Sequence, residues 1–261
     1  MLAPVFAGQP EIVAVRSVGV ELHGLLWYPP GNQHAPAILF NHGLGCLPQP
    51  ECDDREPKIR QLGELFSRHG YAFLAVFRRG EGLSAGAGRS AGEQLEMERS
   101  RHGSRDADRL QVHLLESEQL DDARAGLTCL RGLPRVDADR IAVVGHSFGG
   151  SLSLVLAERV WNLRALVGFS AGPQKLTRFP VPQNWNLDLR LRDLLTGVAQ
   201  RLRVPTLLVY ASNDYTVQPG KTLCDATRRG VGSCELAILP ANGTTLEEGH
   251  DLVYSGSDSW G

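Results

Sequence analysis

The chain reads as an α/β fold: a mostly parallel central sheet with helices on both faces. Three observations predict it. Short, continuous apolar runs recur along the chain, the pattern of strands buried on both faces. Segments with helical apolar spacing separate them, and such alternation makes the crossovers that leave neighbouring strands parallel. The composition permits it, since 261 residues with 42% hydrophobic side chains supply one large core.

The elements follow in order. Glu11–Val18 and Val20–Tyr28 alternate about a single glycine, which predicts an antiparallel hairpin at a sheet edge. After Pro29-Pro30-Gly31, the run Ala37–Phe40 predicts a buried strand. Pro57–His69 carries Ile59, Leu62, Leu65 and Phe66 at helical spacing, and Gly70 ends it. Tyr71–Phe77 is the next strand and Leu115–Gly132 the next helix. The strand Ile141–Val144 leads into the helix Phe148–Val160, and Ala165–Phe169 is the sixth strand. Thr206–Tyr210, Pro219–Arg229 and Glu235–Leu239 complete the series as strand, helix and strand. Two segments interrupt it. Residues 84–118 are long and charged. Residues 172–203, a small insert after the sixth strand, carry Pro173, Pro180, Pro182 and Trp185. Both follow strand ends, and loops of that length either serve a site or carry structure of their own. No repeat or linker divides the chain, so residues 1–261 read as a single domain.

Charge and apolar runs exclude several classes. Lys and Arg number 27 against 29 Asp and Glu. That balance lacks the basic excess of a nucleic-acid binder. No apolar run approaches the roughly 20 residues that span a bilayer. Met1–Pro10 has neither the positive start nor the apolar core of a signal peptide, so a cytoplasmic location is the default. The five cysteines, Cys46, Cys52, Cys129, Cys224 and Cys234, include no C-x-x-C pair. They read as free thiols of a reducing compartment, with a Cys224–Cys234 bond as the alternative. No Cys/His cluster has zinc spacing, and neither a metal nor a cofactor is implied.

The strongest chemical signal is Gly145-His146-Ser147-Phe148-Gly149-Gly150, a G-x-S-x-G between a strand and a helix. Small residues allow a sharp turn there. It exposes Ser147 at a helix N-terminus whose dipole favours negative charge. A serine hydroxyl needs a base. His23, His34, His69, His102 and His113 read as surface or packing residues. His146 lies too near Ser147 in the chain to turn back on it. His250, after the last strand, is the candidate base. Asp214, just past the strand Thr206–Tyr210, is the candidate acid that orients it. A turn or cap role competes for Asp214, and Asp188 and Asp225 are weaker rivals. Asn41-His42-Gly43-Leu44-Gly45 follows a strand end, where the Leu44 N–H would serve an oxyanion hole with the N–H of Phe148. His42 reads as a residue that orders this loop, and also joins Trp185 and Phe179 as a candidate substrate-binding residue. Trp185, Phe179 and Leu187 either wall an acyl pocket or pack beneath their segment.

Together these residues resemble the serine α/β-hydrolases, and in particular the dienelactone hydrolase and prolyl oligopeptidase-like esterase group. The resemblance runs over nearly the whole chain. It rests on Asn41–Gly45, Phe77-Arg78-Arg79-Gly80-Glu81-Gly82-Leu83-Ser84, Val136–Val144 with the elbow Gly145–Gly150, Asn213-Asp214 and Gly249-His250. The order Ser147, Asp214, His250 is the order of that fold. The resemblance implies the α/β-hydrolase fold and an acyl-enzyme esterase acting on a small-molecule ester. The charges of Arg79–Ser84 then read as structural. Two departures bear on the substrate. Dienelactone hydrolase itself uses a cysteine where this chain has Ser147, and 261 residues cannot hold the propeller of the prolyl peptidases. A thioesterase, small-peptide hydrolase or acyltransferase remains the alternative on the same site, and a non-catalytic binding protein the minor one. Oligomeric state has no sequence signal. Members of this fold usually close with a helix after the histidine. Here only the polar stretch Asp251–Gly261 follows, and the closing helix reads as absent.

Overall fold

A computed structural model describes residues 8–31, 34–45, 55–172 and 189–260. Eight strands form one sheet in the order β1-β2-β4-β3-β5-β6-β7-β8. The strands are β1 (Glu11–Ser17), β2 (Val20–Trp27), β3 (Ala35–Asn41), β4 (Ala72–Phe77), β5 (Val136–His146), β6 (Leu163–Phe169), β7 (Thr206–Ala211) and β8 (Cys234–Leu239). The edge hairpin is antiparallel, Val20 facing Ser17, and β2 runs antiparallel to β4. Every other pair is parallel, with Phe40 of β3 level with Ala75 on one side and Val144 on the other. The parallel strands therefore end together, so the loops after β3, β5, β6, β7 and β8 meet at one rim.

The helices are α1 (Arg55–Arg68), α2 (Ala91–His102), α3 (Ser104–Glu116), α4 (Glu118–Gly132), α5 (Phe148–Arg159), α6 (Leu189–Arg201) and α7 (Gln218–Arg229). Three short ones follow: α8 (Leu246–His250), α9 (Leu252–Ser255) and α10 (Ser257–Trp260). Leucines of α3 to α7 pack on one face of the sheet with Val143, Leu166 and Leu208. The other face is covered by Ile59 and Leu62 of α1 and by Leu252, Val253 and Tyr254 of α9. These lie over Phe40, Phe73 and Phe77.

Two open readings are narrowed and one expectation changes. Segment 84–118 carries structure of its own: after a 3₁₀ turn at Gly82–Ala87, it forms α2 and α3. Ser90 and Glu93 start α2 with a reciprocal capping box, which satisfies two otherwise unpaired amides. Segment 172–203 contributes α6, whose Leu191, Leu195 and Val198 are buried. Phe179, Trp185 and Leu187 lie outside the described residues. The stretch after His250, read as a polar tail, buries Leu252, Val253 and Tyr254. Leu252 and Val253 contribute about 1.5–3 kcal/mol each. Trp260 donates its indole N–H to the Leu252 carbonyl (3.1 Å) and packs on Phe66 and Phe169.

The free-thiol expectation fails at one pair. Cys224 in α7 and Cys234 at the start of β8 form a disulfide across a Cα separation of 5.3 Å, because α7 packs directly beside the strand that follows it. A loop this short gives roughly 2–3 kcal/mol from the restricted unfolded chain. Cys129 is a half-buried free thiol, and Cys46 and Cys52 lie outside the described residues. No helix among the described residues is long and apolar enough to cross a membrane.

Candidate active site

β5 delivers Ser147 to the rim. The residue takes φ 58° and ψ −118°, a strained conformation costing about 1–3 kcal/mol that surrounding structure must enforce. The constraints are local. Ser147 N–H donates to the Phe169 carbonyl (2.8 Å), and α5 begins at the next residue. A side chain at Gly149 would collide with the carbonyl oxygens of Asn41 and His42. The first turn of α5 therefore lies against the β3 loop, as the small residues of the motif predict.

His250 ends α8 and meets the serine. Ser147 Oγ and His250 Nε2 are 2.7 Å apart, and His250 Nδ1 lies 2.8 Å from Asp214 Oδ1. An ionised carboxylate can only accept, so Nδ1 carries the proton and Nε2 is free to accept from the serine hydroxyl. Asp214 sits in a turn after β7 and is itself held, since Tyr215 N–H donates to its Oδ1 (2.7 Å). Tyr215 also lays its ring 5.0 Å from the imidazole of His250. Burial and the neighbouring Glu247 carboxylate push its phenol well above the usual range. The three residues singled out from sequence thus come together from three separate loops.

The β3 loop passes beside them. A methyl at Gly43 would touch His146 Nδ1 at 3.1 Å and Ser147 Cβ at 3.4 Å. Leu44 is half-buried next to it. Phe148 N–H, at the first position of α5, has no carbonyl of its own helix to bond.

Beneath this loop lies a buried charged cluster that sequence reading described only in part. Arg78 is 1% exposed. It donates through Nη1 to the His42 carbonyl (2.8 Å), through Nη2 to the Gly43 carbonyl (3.1 Å) and through Nε to Gln119 (2.9 Å). Arg55 Nη1 pairs with Glu81 Oε2 at 2.5 Å, and that carboxylate also lies 3.7 Å from Arg78 Nη2. Arg79 pairs separately with Asp122 at 2.7 Å. Of the loop read as carrying structural charges, Arg79 and Glu81 are thus both engaged in ion pairs within the fold. Arg55 had no local signal, because it reaches the loop only through the packing of α1.

The same cluster corrects the reading of His42 as a substrate-binding residue. Its side chain is wholly buried under the loop. Nε2 accepts from Arg78 N–H (3.3 Å), leaving Nδ1 to donate to the Gly43 carbonyl (2.7 Å). Burial and the two arginines hold it far below the usual imidazole range, hence neutral. It orders the loop from below and has no path to a substrate.

His146 is also buried and neutral, lowered to about 4 by burial and by the facing His250. In the unfolded chain an imidazole protonates near 6.5. Between about pH 6.5 and pH 4 the unfolded state therefore binds a proton that the folded state refuses. Stability present above that window is lost as pH falls through it. The expected loss from His146 is on the order of 2–3 kcal/mol, and His42 adds to it with the same sign. Urea unfolding at pH 7 and pH 4.5 checks this: His146→Phe should lose less between the two pH values than the unaltered protein.

An eight-stranded sheet with this strand order, and a serine, histidine and aspartate gathered on the loops at its carboxyl rim, define the class as an α/β-hydrolase. The chain belongs to the dienelactone hydrolase family, whose profile matches residues 28–226. It is 26% identical over 206 residues to the quorum-quenching protein AidA of Acinetobacter baumannii, covering 75% of this chain and 57% of the relative. It is 24% identical over 223 residues to the cutinase est1 of Thermobifida alba, covering 85% and 57%. The chain thus spans 57% of the length of these curated relatives. Among solved structures, a dienelactone hydrolase from Anabaena variabilis superposes with a TM-score of 0.59 at 22% identity, over 97% of both chains. A putative dipeptidyl aminopeptidase IV from Bacteroides ovatus superposes with a TM-score of 0.64 at 18% identity, covering 98% of this chain and 36% of that one.

Proposed function

We propose that the chain is a serine hydrolase that cleaves carboxylic esters of small molecules through an acyl-enzyme, without a cofactor. The observation that carries this reading is the continuous hydrogen-bonded line from Ser147 Oγ to His250 and on to Asp214. In the first half-reaction His250 Nε2 takes the hydroxyl proton as Ser147 Oγ attacks the acyl carbon. The carbonyl oxygen becomes an anion, for which the N–H groups of Leu44 and Phe148 are the proposed donors. His250, now cationic beside Asp214, gives its proton to the departing alcohol. In the second half, water is deprotonated by the same nitrogen and releases the acid. Asp214 stays ionised throughout and stabilises the imidazolium.

The cutinases among the relatives favour an ester. The peptidases among the structural neighbours favour a second reading, hydrolysis of a small amide at the same serine. The test is a turnover panel of p-nitrophenyl acetate and butyrate, a short thioester and aminoacyl amides, run with fluorophosphonate labelling. Ester turnover with labelling at Ser147 is expected. Amide turnover exceeding ester turnover would favour the second reading, and an unlabelled, inactive protein would leave a binding protein on a hydrolase fold.

A further inference from the structure

We propose that His146 and Ser170 are positioning residues that clamp the carbonyl of His250 and so hold the base in register with Ser147. Both donors reach one oxygen. His146 Nε2 lies 2.9 Å from the His250 carbonyl oxygen, and Ser170 Oγ lies 3.1 Å from it. A carbonyl can only accept, so His146 carries its proton on Nε2. Its Nδ1 is buried with no hydrogen-bond partner among the described residues, which leaves a second proton on this ring without an acceptor there.

Two further observations single this contact out. Ser170 has φ 51°, one of only three non-glycine residues at positive φ among those described, and another is Ser147. Strain of this kind persists where surrounding structure enforces it, and it gathers at functional sites. Here it turns a hydroxyl from the end of β6 toward the loop that carries the base. The second observation is the ring of His146. It lies 5.0 Å from the ring of His250 and 5.0 Å from that of Tyr254, between a rim side chain and a buried one.

The need for such a clamp follows from the loop itself. His250 ends a five-residue helix. Such a turn holds its own geometry poorly without tertiary support. Fixing the His250 carbonyl fixes the Cα from which the imidazole projects, and it does so from β5 and β6, the rigid strands beside the nucleophile. The neutral state of His146 matters too: a charged ring in that place would oppose the imidazolium that forms on His250.

The inference rests on the reading of His250 as the general base, so its test separates the two. The variants are His146→Phe, His146→Gln, Ser170→Ala and the double variant His146→Phe/Ser170→Ala, assayed with p-nitrophenyl butyrate. His146→Phe keeps the ring and its burial but loses the donor. It should lower kcat by roughly 10- to 100-fold with KM little changed. His146→Gln, whose amide nitrogen reaches the place of Nε2, should recover most of that loss. The double variant should lose more than the product of the singles, since in each single variant the remaining donor still holds the oxygen in part. In parallel, the Nδ1 proton resonance of His250 in protein labelled with 15N-histidine, assigned with His250→Ala, should be sharp in the unaltered protein and broadened in the double variant. A double variant with unaltered kcat and a sharp resonance overturns the clamp, as does a loss in His146→Phe that His146→Gln fails to restore. If the unaltered protein turns over no ester but the resonance depends on His146 and Ser170 as described, the clamp stands and the hydrolase reading fails.

Discussion

Ser147→Ala is expected to lower kcat for p-nitrophenyl acetate or butyrate by roughly a millionfold while leaving the fold and the circular dichroism spectrum unchanged. Among the described residues, no other hydroxyl lies within hydrogen-bond distance of His250 Nε2. The strained turn that presents it is enforced by Gly145, Gly149 and Gly150 and by the bond from Ser147 N–H to Phe169, none of which needs the hydroxyl. Asp214→Asn should cost about 10⁴-fold for a different reason. An amide at that position can turn its NH₂ toward His250 Nδ1. The imidazole then carries its proton on the nitrogen that should accept from Ser147. Fluorophosphonate labelling should vanish in the first variant and become slow in the second. Retention of full turnover by Ser147→Ala would remove the basis of the proposed function.

Arg78→Met is expected to lower the unfolding free energy by about 3–5 kcal/mol, read as a fall in the urea midpoint. Methionine matches the aliphatic stem but takes the Arg78 donor from the His42 carbonyl and from Gln119, while the Gly43 carbonyl loses one donor and keeps that of His42 Nδ1. Each stranded acceptor costs about 1–3 kcal/mol when buried. Glu81 keeps Arg55 as a partner, which prevents a wholly uncompensated charge. Turnover should fall with stability, because the two carbonyls belong to the loop that would offer the Leu44 amide. A loss under about 1 kcal/mol would mean that the buried charges contribute little net stability, the outcome continuum arguments allow for such clusters.

The sheet was legible because its central strands contain short apolar runs and its edge hairpin alternates about a single glycine. Ser147 and Asp214 were singled out because each stands just past such a strand, and His250 because it lies in the stretch that follows the last one. Sequence patterning read less where burial is sparse. In α2 only Ala91, Gly92 and Leu95 are buried, and in α3 only Ala107, Gln111, Leu114 and Leu115. The charged faces of these helices hide the periodicity. His146 was set aside as a base because it adjoins Ser147 in the chain. Its bond to the His250 carbonyl has no sequence signal, since it joins residues 104 positions apart. Arg55 and Ser170 were missed for the same reason. The Cys224–Cys234 bond was one pairing among several that five cysteines allow, and only the packing of α7 on β8 selects it.

The stretch after His250 joins the margin of the molecule to its chemistry. Tyr254 is held among Phe40, His146 and the α1 side chain Lys58, while Trp260 anchors the turn that carries it. A protease nicking the chain just past Asp251 would therefore remove one wall of the ring stack that ends on the base. Nicked material would lose its catalytic rate before its sheet melted. An activity assay, more than a melting curve, would be the sensitive gauge of whether a preparation is intact.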